Sequence, residues 1–134
     1  MRKQYHFRPS KNGLFAWDIA ILIALSKNFE VKTIALTDIQ EFDENWWFSD
    51  LDNKPTCRAI TEHFKLVEAC DLSYPIILSS DGRLMDGMHR VCKAHLKSRK
   101  TIQMVQFKID PDPTYTDVTD IDALPYDEDV SLQQ

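Results

Sequence analysis

Residues 74–107 carry the pattern that most constrains how this chain folds. The apolar run YPIILSS is followed by Asp81-Gly82, a dipeptide typical of a two-residue hairpin turn, so residues 83–85 are predicted to pair back on that run. Apolar side chains then recur every three or four positions over 87–98, and TIQMVQF alternates in the manner of a strand. The pattern predicts a hairpin, an amphipathic helix and a closing strand, in that order.

Before this region the sequence predicts two helices and one strand. Residues 14–27 are almost continuously apolar, and an apolar run of that length favours a buried helix over a strand. VKTIAL, at 31–36, predicts a strand, and Thr56 is placed to cap a helix that runs to about Cys70. Residues 1–13 predict no regular element. We therefore expect an α/β (α+β) fold.

The net charge of the chain changes sign near Lys108, after which the sequence contains no Lys or Arg. Residues 1–108 carry sixteen basic and thirteen acidic side chains, a net +3, whereas residues 109–134 carry eight acidic ones, a net −8. The division predicts a domain over 1–108, with an N-terminal helical extension, and an acidic C-terminal arm over 109–134 that is extended or disordered. An arm of this charge disfavours nucleic-acid binding without a further domain.

Length and cysteine content narrow the class of protein. A chain of 134 residues fits a single core, and its three cysteines form no CxxC pair, as expected for reduced thiols. The longest apolar run is shorter than the roughly 20 residues that cross a bilayer. The N-terminus lacks the pattern of a cleaved signal peptide. We expect a cytoplasmic protein without membrane contact, and the oligomeric state stays open.

The strand-to-helix corner DGMHR, residues 86–90, is the segment that predicts chemistry. Asp86 at the N-cap would accept a backbone N–H of the first turn, a contact worth about 1 kcal/mol. Gly87 removes a Cβ that would hold a phosphate away, and His89 and Arg90 add side-chain donors beside the positive end of the helix dipole. The corner predicts a phosphate site; the alternative is an ordinary helix cap with a solvated histidine and an ion-paired arginine.

The segment YPIILSSDGRLMDGMHRVCKAHLKSRKTIQMVQF, with VKTIAL before it, resembles the ParB/sulfiredoxin superfamily over residues 31–107. Members carry a strand, a turn, a DGxHR-like corner, a helix and a final strand. The resemblance implies a small mixed sheet with packed helices. It also implies that a nucleotide or another phosphorylated small molecule is bound by the corner residues Asp86, Gly87, Met88, His89 and Arg90.

Departures from the superfamily pattern narrow the activity. Met88 stands where sulfiredoxins have a reactive cysteine, and the acidic segment 109–134 follows where ParB proteins continue into a DNA-reading domain. Free-serine kinases of the superfamily have a similar DGHHR corner and use a glutamate after the first strand as base. The loop IQEFDENWW offers Glu41, Asp43 and Glu44 there. This resemblance implies a phosphotransferase with ATP or another nucleotide, Mg²⁺, and Glu41, Glu44 and His89 as catalytic residues.

Other residues and readings stay open beside this one. Arg58 is either a second phosphate clamp or a surface arginine, and Trp46-Trp47-Phe48 either stacks a ligand ring or anchors its loop on the core. His63 and His95 lie at apolar helix faces and are expected to be core or boundary histidines. The alternative functions are a non-catalytic regulatory or protein-interaction module of the same fold, and a ParB-like nuclease.

Overall fold

The computed structural model describes residues 3–49 and 52–127, and they form a mixed α/β structure, which confirms the predicted fold class. The chain divides into two compact units, residues 3–28 with 110–127 and residues 29–109. In chain order the strands and helices are β1 (Tyr5–Ser10), β2 (Gly13–Asp18), α1 (Ile19–Ser26), β3 (Lys32–Ala35), α2 (Cys57–Ala69), β4 (Ile76–Leu78), β5 (Leu84–Asp86), α3 (Met88–Leu96), β6 (Thr101–Gln106) and β7 (Tyr115–Val118).

The first unit contains an antiparallel sheet with strand order β1-β2-β7. The predicted helix over 14–27 is wrong in its first part, because residues 14–18 belong to β2, which pairs with β1 along its whole length. Asp18 sets the boundary, since its Oδ1 accepts the N–H of Ala20 at 2.9 Å and caps α1. Residues 1–13, which predict no regular element, contain β1.

The predicted acidic arm contributes β7 to this sheet, beside β2. The carboxylate of Asp117 accepts from the Ser10 hydroxyl at 2.8 Å, and the indole N–H of Trp17 donates to the carbonyl of Pro111 at 2.9 Å. These contacts hold the described part of the acidic segment against residues 3–28. Glu128 and Asp129, which the prediction of an acidic arm includes, lie outside the described residues.

The second unit holds a four-stranded sheet in the order β3-β6-β4-β5, with β4 parallel to β6 and the other neighbours antiparallel. The predicted hairpin is present, although its turn has three residues: the N–H of Ser79 donates to the carbonyl of Arg83 at 2.8 Å. Gly82 has a φ of +83°, the left-handed conformation that this turn requires. The hairpin leaves β5 at the edge of the sheet.

Helices α2 and α3 lie where the apolar spacing predicts them. Thr56 caps α2 by accepting the N–H of Ala59 at 3.1 Å. Val91 and Ala94 of α3 are fully buried in the core of the second unit. The ammonium of Lys93 donates to two carbonyls at the end of α2, one of them that of Cys70 at 2.6 Å, and so ties α3 to α2. Over residues 3–49 and 52–127, no helix has the length and apolarity needed to cross a membrane.

Candidate functional site

The N-cap of α3, at the corner after β5, differs from the predicted one. Gly87, not Asp86, occupies the N-cap position of α3, so the N-cap residue supplies no side-chain hydrogen bond to the helix. The predicted N-cap role of Asp86 is wrong, because Asp86 is the last residue of β5 and its Oδ2 accepts from Nη2 of Arg90 at 3.1 Å. The carboxylate of Asp86 is therefore paired with a side chain four residues further along the chain.

Gly87 is required by backbone conformation and by close packing. Its φ is +118°, in the left-handed region that favours glycine. An added Cβ would lie 2.6 Å from Cγ2 of Ile76 and 2.9 Å from Nη2 of Arg90. The space that the missing Cβ leaves is filled by these two side chains. The expectation that this space admits a phosphate is therefore not met in this conformation.

The first turn of α3 keeps the features that bind anions at helix ends. The N–H of Val91 donates to the carbonyl of Gly87 at 3.1 Å and is the first amide of the helix with an intrahelical acceptor. The amides of Met88, His89 and Arg90 precede it, and such amides need acceptors from outside the helix. The side chain of Met88 is buried in the core, so Met88 offers a ligand only its backbone.

The guanidinium of Arg90 packs against neighbouring groups of the protein. Its side chain and that of Asp86 are each 19% exposed, and Nη2 of Arg90 also lies 3.5 Å from the carbonyl of Pro75. Nε of Arg90 is buried and has no hydrogen-bond acceptor among the described residues. The positive charge is thus paired with a carboxylate, while one donor of the same guanidinium is left over.

His89 turns away from Arg90 and towards α2. Its Nε2 lies 2.9 Å from Nδ1 of His63, and the ring of Trp47 stacks on both imidazoles, with centroid distances of 4.3 Å to His63 and 4.9 Å to His89. His89 and Arg90, expected to converge on one point, have different hydrogen-bonding partners in this state. His63, expected to be a core or boundary histidine, is half-buried and is the partner of His89.

The environment keeps His89 uncharged. Burial lowers its pKa to about 4, and the neighbouring His63 and Arg90 act in the same direction. Burial also lowers the pKa of His63. His89 is therefore a neutral hydrogen-bonding group at pH 7 in this state.

The three acids of the loop after β3 have different surroundings. Glu41 is 1% exposed, and its Oε1 accepts the N–H of Leu84 at 2.5 Å, covering a backbone donor of edge strand β5. Its Oε2 lies 3.7 Å from Nε of Arg83 and has no hydrogen-bond partner among the described residues. Glu44 accepts from the amide of Gln40 at 2.8 Å, and Asp43 is exposed. Glu41 is thus the buried acid among the three, and it contacts the hairpin.

Arg58 and the aromatic residues 46–48 are the remaining residues that the sequence suggested for the site. Arg58 is exposed in the first turn of α2. Trp46 and Trp47 both pack against the core cluster, as expected for anchors of their loop. Trp47 also stacks on the histidine pair, and Phe48 meets the ring of His63 edge-on at 5.5 Å.

A groove of about 260 Å³ opens beside the histidine pair, and residues 86–90 do not line it. Its walls come from α2, α3 and the loop after β3, and they are mostly aromatic or aliphatic. His63 lines one part of the groove and contacts His89 at the corner, so the groove and the first turn of α3 are neighbours. Sequence reasoning missed this groove, whose one visible signal was histidines on the apolar stripes of two helices.

Comparison of the chain with protein-family models, with curated proteins and with solved structures finds no match. The resemblance to the ParB/sulfiredoxin superfamily therefore rests on the sequence motif and the order of elements. Over residues 3–49 and 52–127, no group of three or more His, Cys, Asp or Glu side chains is arranged to hold a metal ion.

Proposed function

We propose that this protein is a ParB/sulfiredoxin-like domain that binds a nucleotide or another phosphorylated small molecule at Asp86–Arg90. The observation that carries the proposal is the start of α3, where the N-cap glycine supplies no side-chain acceptor and a buried guanidinium N–H of Arg90 lacks an acceptor among the described residues. Free amides at a helix N-terminus, together with arginine, suit phosphate oxygens. The reduced cysteines and a nucleotide ligand both fit a cytoplasmic protein.

Binding at this corner requires Arg90 to change partners. In the free protein its charge is paired with Asp86 at 3.1 Å, and the neutral His89 adds no charge. A phosphate that reaches the first turn of α3 replaces Asp86 as the acceptor of Arg90, and its negative charge raises the pKa of His89. The proposal therefore couples phosphate binding to protonation of His89 at acidic pH.

Phosphoryl transfer is the enzymatic form of this proposal. Mg²⁺ bound with the nucleotide would neutralise phosphate charge, and a carboxylate would accept the proton of the attacking hydroxyl. Glu41 and Glu44 are the acids proposed for that role, and both are engaged with Arg83 in the free protein. That engagement favours the second form of the proposal, a regulatory module that binds the same ligand without turnover.

The test compares wild-type protein with Arg90→Ala, using ATP, ADP and CTP with Mg²⁺ as probes. Arg99→Ala is the control, because Arg99 is an exposed arginine outside the corner. A rise in Tm that is lost in Arg90→Ala and kept in Arg99→Ala supports the proposal, with each variant compared with its own ligand-free form. Turnover that disappears in Glu41→Gln or Glu44→Gln indicates transfer, and binding without turnover indicates the regulatory module. Absence of any shift with all three nucleotides overturns both.

A further inference from the structure

The groove beside the histidine pair has the size of a small ring system. Its volume of about 260 Å³ is close to the lower end, about 300 Å³, of the range found for small-molecule pockets. The volume therefore suits a small molecule.

The lining of the groove selects an uncharged, flat ligand. Phe42, Trp47, Phe48 and Phe64 contribute aromatic rings, and among the described residues no Asp, Glu, Lys or Arg lines the groove. Stacking of a ligand ring on such side chains is worth about 1–3 kcal/mol per ring and does not depend on the pattern of polar atoms at the ring edge. An ionised group would lose its hydration here without gaining an ion pair.

Polar atoms contribute almost nothing to the wall of the groove. The Nδ1 atom of His63 is used by His89. Burial lowers the pKa of His63, so this ring adds no charge to the wall. The groove thus offers a ligand an aromatic and uncharged wall.

We propose that this groove binds the flat ring of the phosphorylated ligand whose phosphate lies at Asp86–Arg90, an inference that rests on the function proposed above. The contact between His63 in the groove and His89 at the corner joins the two halves of the site. Along α3 the groove residues Cys92 and His95 lie about 6–10 Å beyond Met88, which is room for a sugar or a short chain between phosphate and ring. The site accordingly recognises ring shape and discriminates weakly among bases.

The test measures the affinities of AMP, adenosine, ribose 5-phosphate and inorganic phosphate by calorimetry. We expect AMP to bind at least ten-fold more tightly than adenosine or ribose 5-phosphate, and AMP and CMP to differ by less than five-fold. Ile60→Ser removes an exposed aliphatic side chain of the groove, and Leu66→Ser removes one of similar exposure on the same helix outside it. We expect Ile60→Ser to weaken AMP binding several-fold and to leave ribose 5-phosphate unchanged, whereas Leu66→Ser alters neither.

The possible failures are distinguishable. Equal affinities for AMP and ribose 5-phosphate overturn the ring subsite and leave the phosphate corner standing. Equal affinities for AMP and adenosine, with no effect of Arg90→Ala, overturn the phosphate corner, and the ring alone is then the ligand. Self-association that Ile60→Ser abolishes, without any change in AMP affinity, identifies the groove as an interface between copies and overturns the inference. No binding of any probe overturns both proposals.

Discussion

Nδ1 of His63 lies 2.9 Å from Nε2 of His89, and the ring of Trp47 covers both imidazoles. One imidazole donates to the other, so α2 and α3 are joined by a polar contact inside an otherwise aromatic cluster. The contact adjoins the first turn of α3 and also borders the apolar groove. The proposed ring subsite depends on this junction.

Acid should destabilise the protein through His89. Its pKa is about 4 in the folded state and near 6.5 when unfolded, so the unfolded chain binds the proton more readily between these values. The stability that the neutral imidazole contributes is therefore complete above pH 6.5 and is lost as pH falls towards 4. We expect Tm of the wild type to fall more steeply over that interval than Tm of His89→Gln. Parallel pH profiles for the two proteins would contradict this account.

Replacing Glu41 by alanine should destabilise the fold far more than replacing Glu44. Glu41→Ala leaves the N–H of Leu84 without its carboxylate acceptor in a buried position, which costs about 1–3 kcal/mol. The side chain of Glu44 is 39% exposed, so Glu44→Ala should change the free energy of unfolding by less than about 0.5 kcal/mol. Urea titrations of the two variants measure the difference, and equal losses would exclude a structural role for the buried carboxylate.

Alanine should be tolerated less well at Gly87 than at Gly82. Both glycines have positive φ, and an unfavourable backbone of this kind costs on the order of 1–3 kcal/mol for other residues. A Cβ at Gly82 meets nothing within 4 Å, whereas one at Gly87 meets Ile76 at 2.6 Å. Gly87→Ala should therefore lower the free energy of unfolding by at least about 1 kcal/mol more than Gly82→Ala. Chemical denaturation of both variants decides the matter, and the reverse order would show that packing at Gly87 is loose.

Releasing Arg90 from its carboxylate should strengthen phosphate binding. Asp86→Asn removes the negative charge that holds Arg90 at 3.1 Å and that repels an incoming anion. We expect AMP and inorganic phosphate to bind several-fold more tightly to this variant at low salt, with a smaller gain at high salt. Calorimetry at two ionic strengths measures both effects. Unchanged or weaker binding would mean that Asp86 positions Arg90 and does not compete for it.

Local pattern was sufficient for the elements around the corner. The hairpin needed only an apolar run and a glycine at its turn, and α2 and α3 needed only apolar spacing and, for α2, a threonine cap. The same reasoning failed at residues 14–18, because an unbroken apolar run suits a strand and a buried helix equally well. What decided the matter there was pairing with β1 and β7, which no local pattern contains.

The sequence by itself determined the order of strand, turn, strand and helix, the glycine between β5 and α3, and the identity of the side chains at the corner. Only the tertiary structure decided what those side chains contact. His89 meets His63 of another helix, 26 residues earlier in the chain, and Arg90 folds back on Asp86. The physical reason is that backbone conformation follows from neighbours along the chain, whereas side-chain pairing, burial and the pKa values they set follow from neighbours that packing brings together.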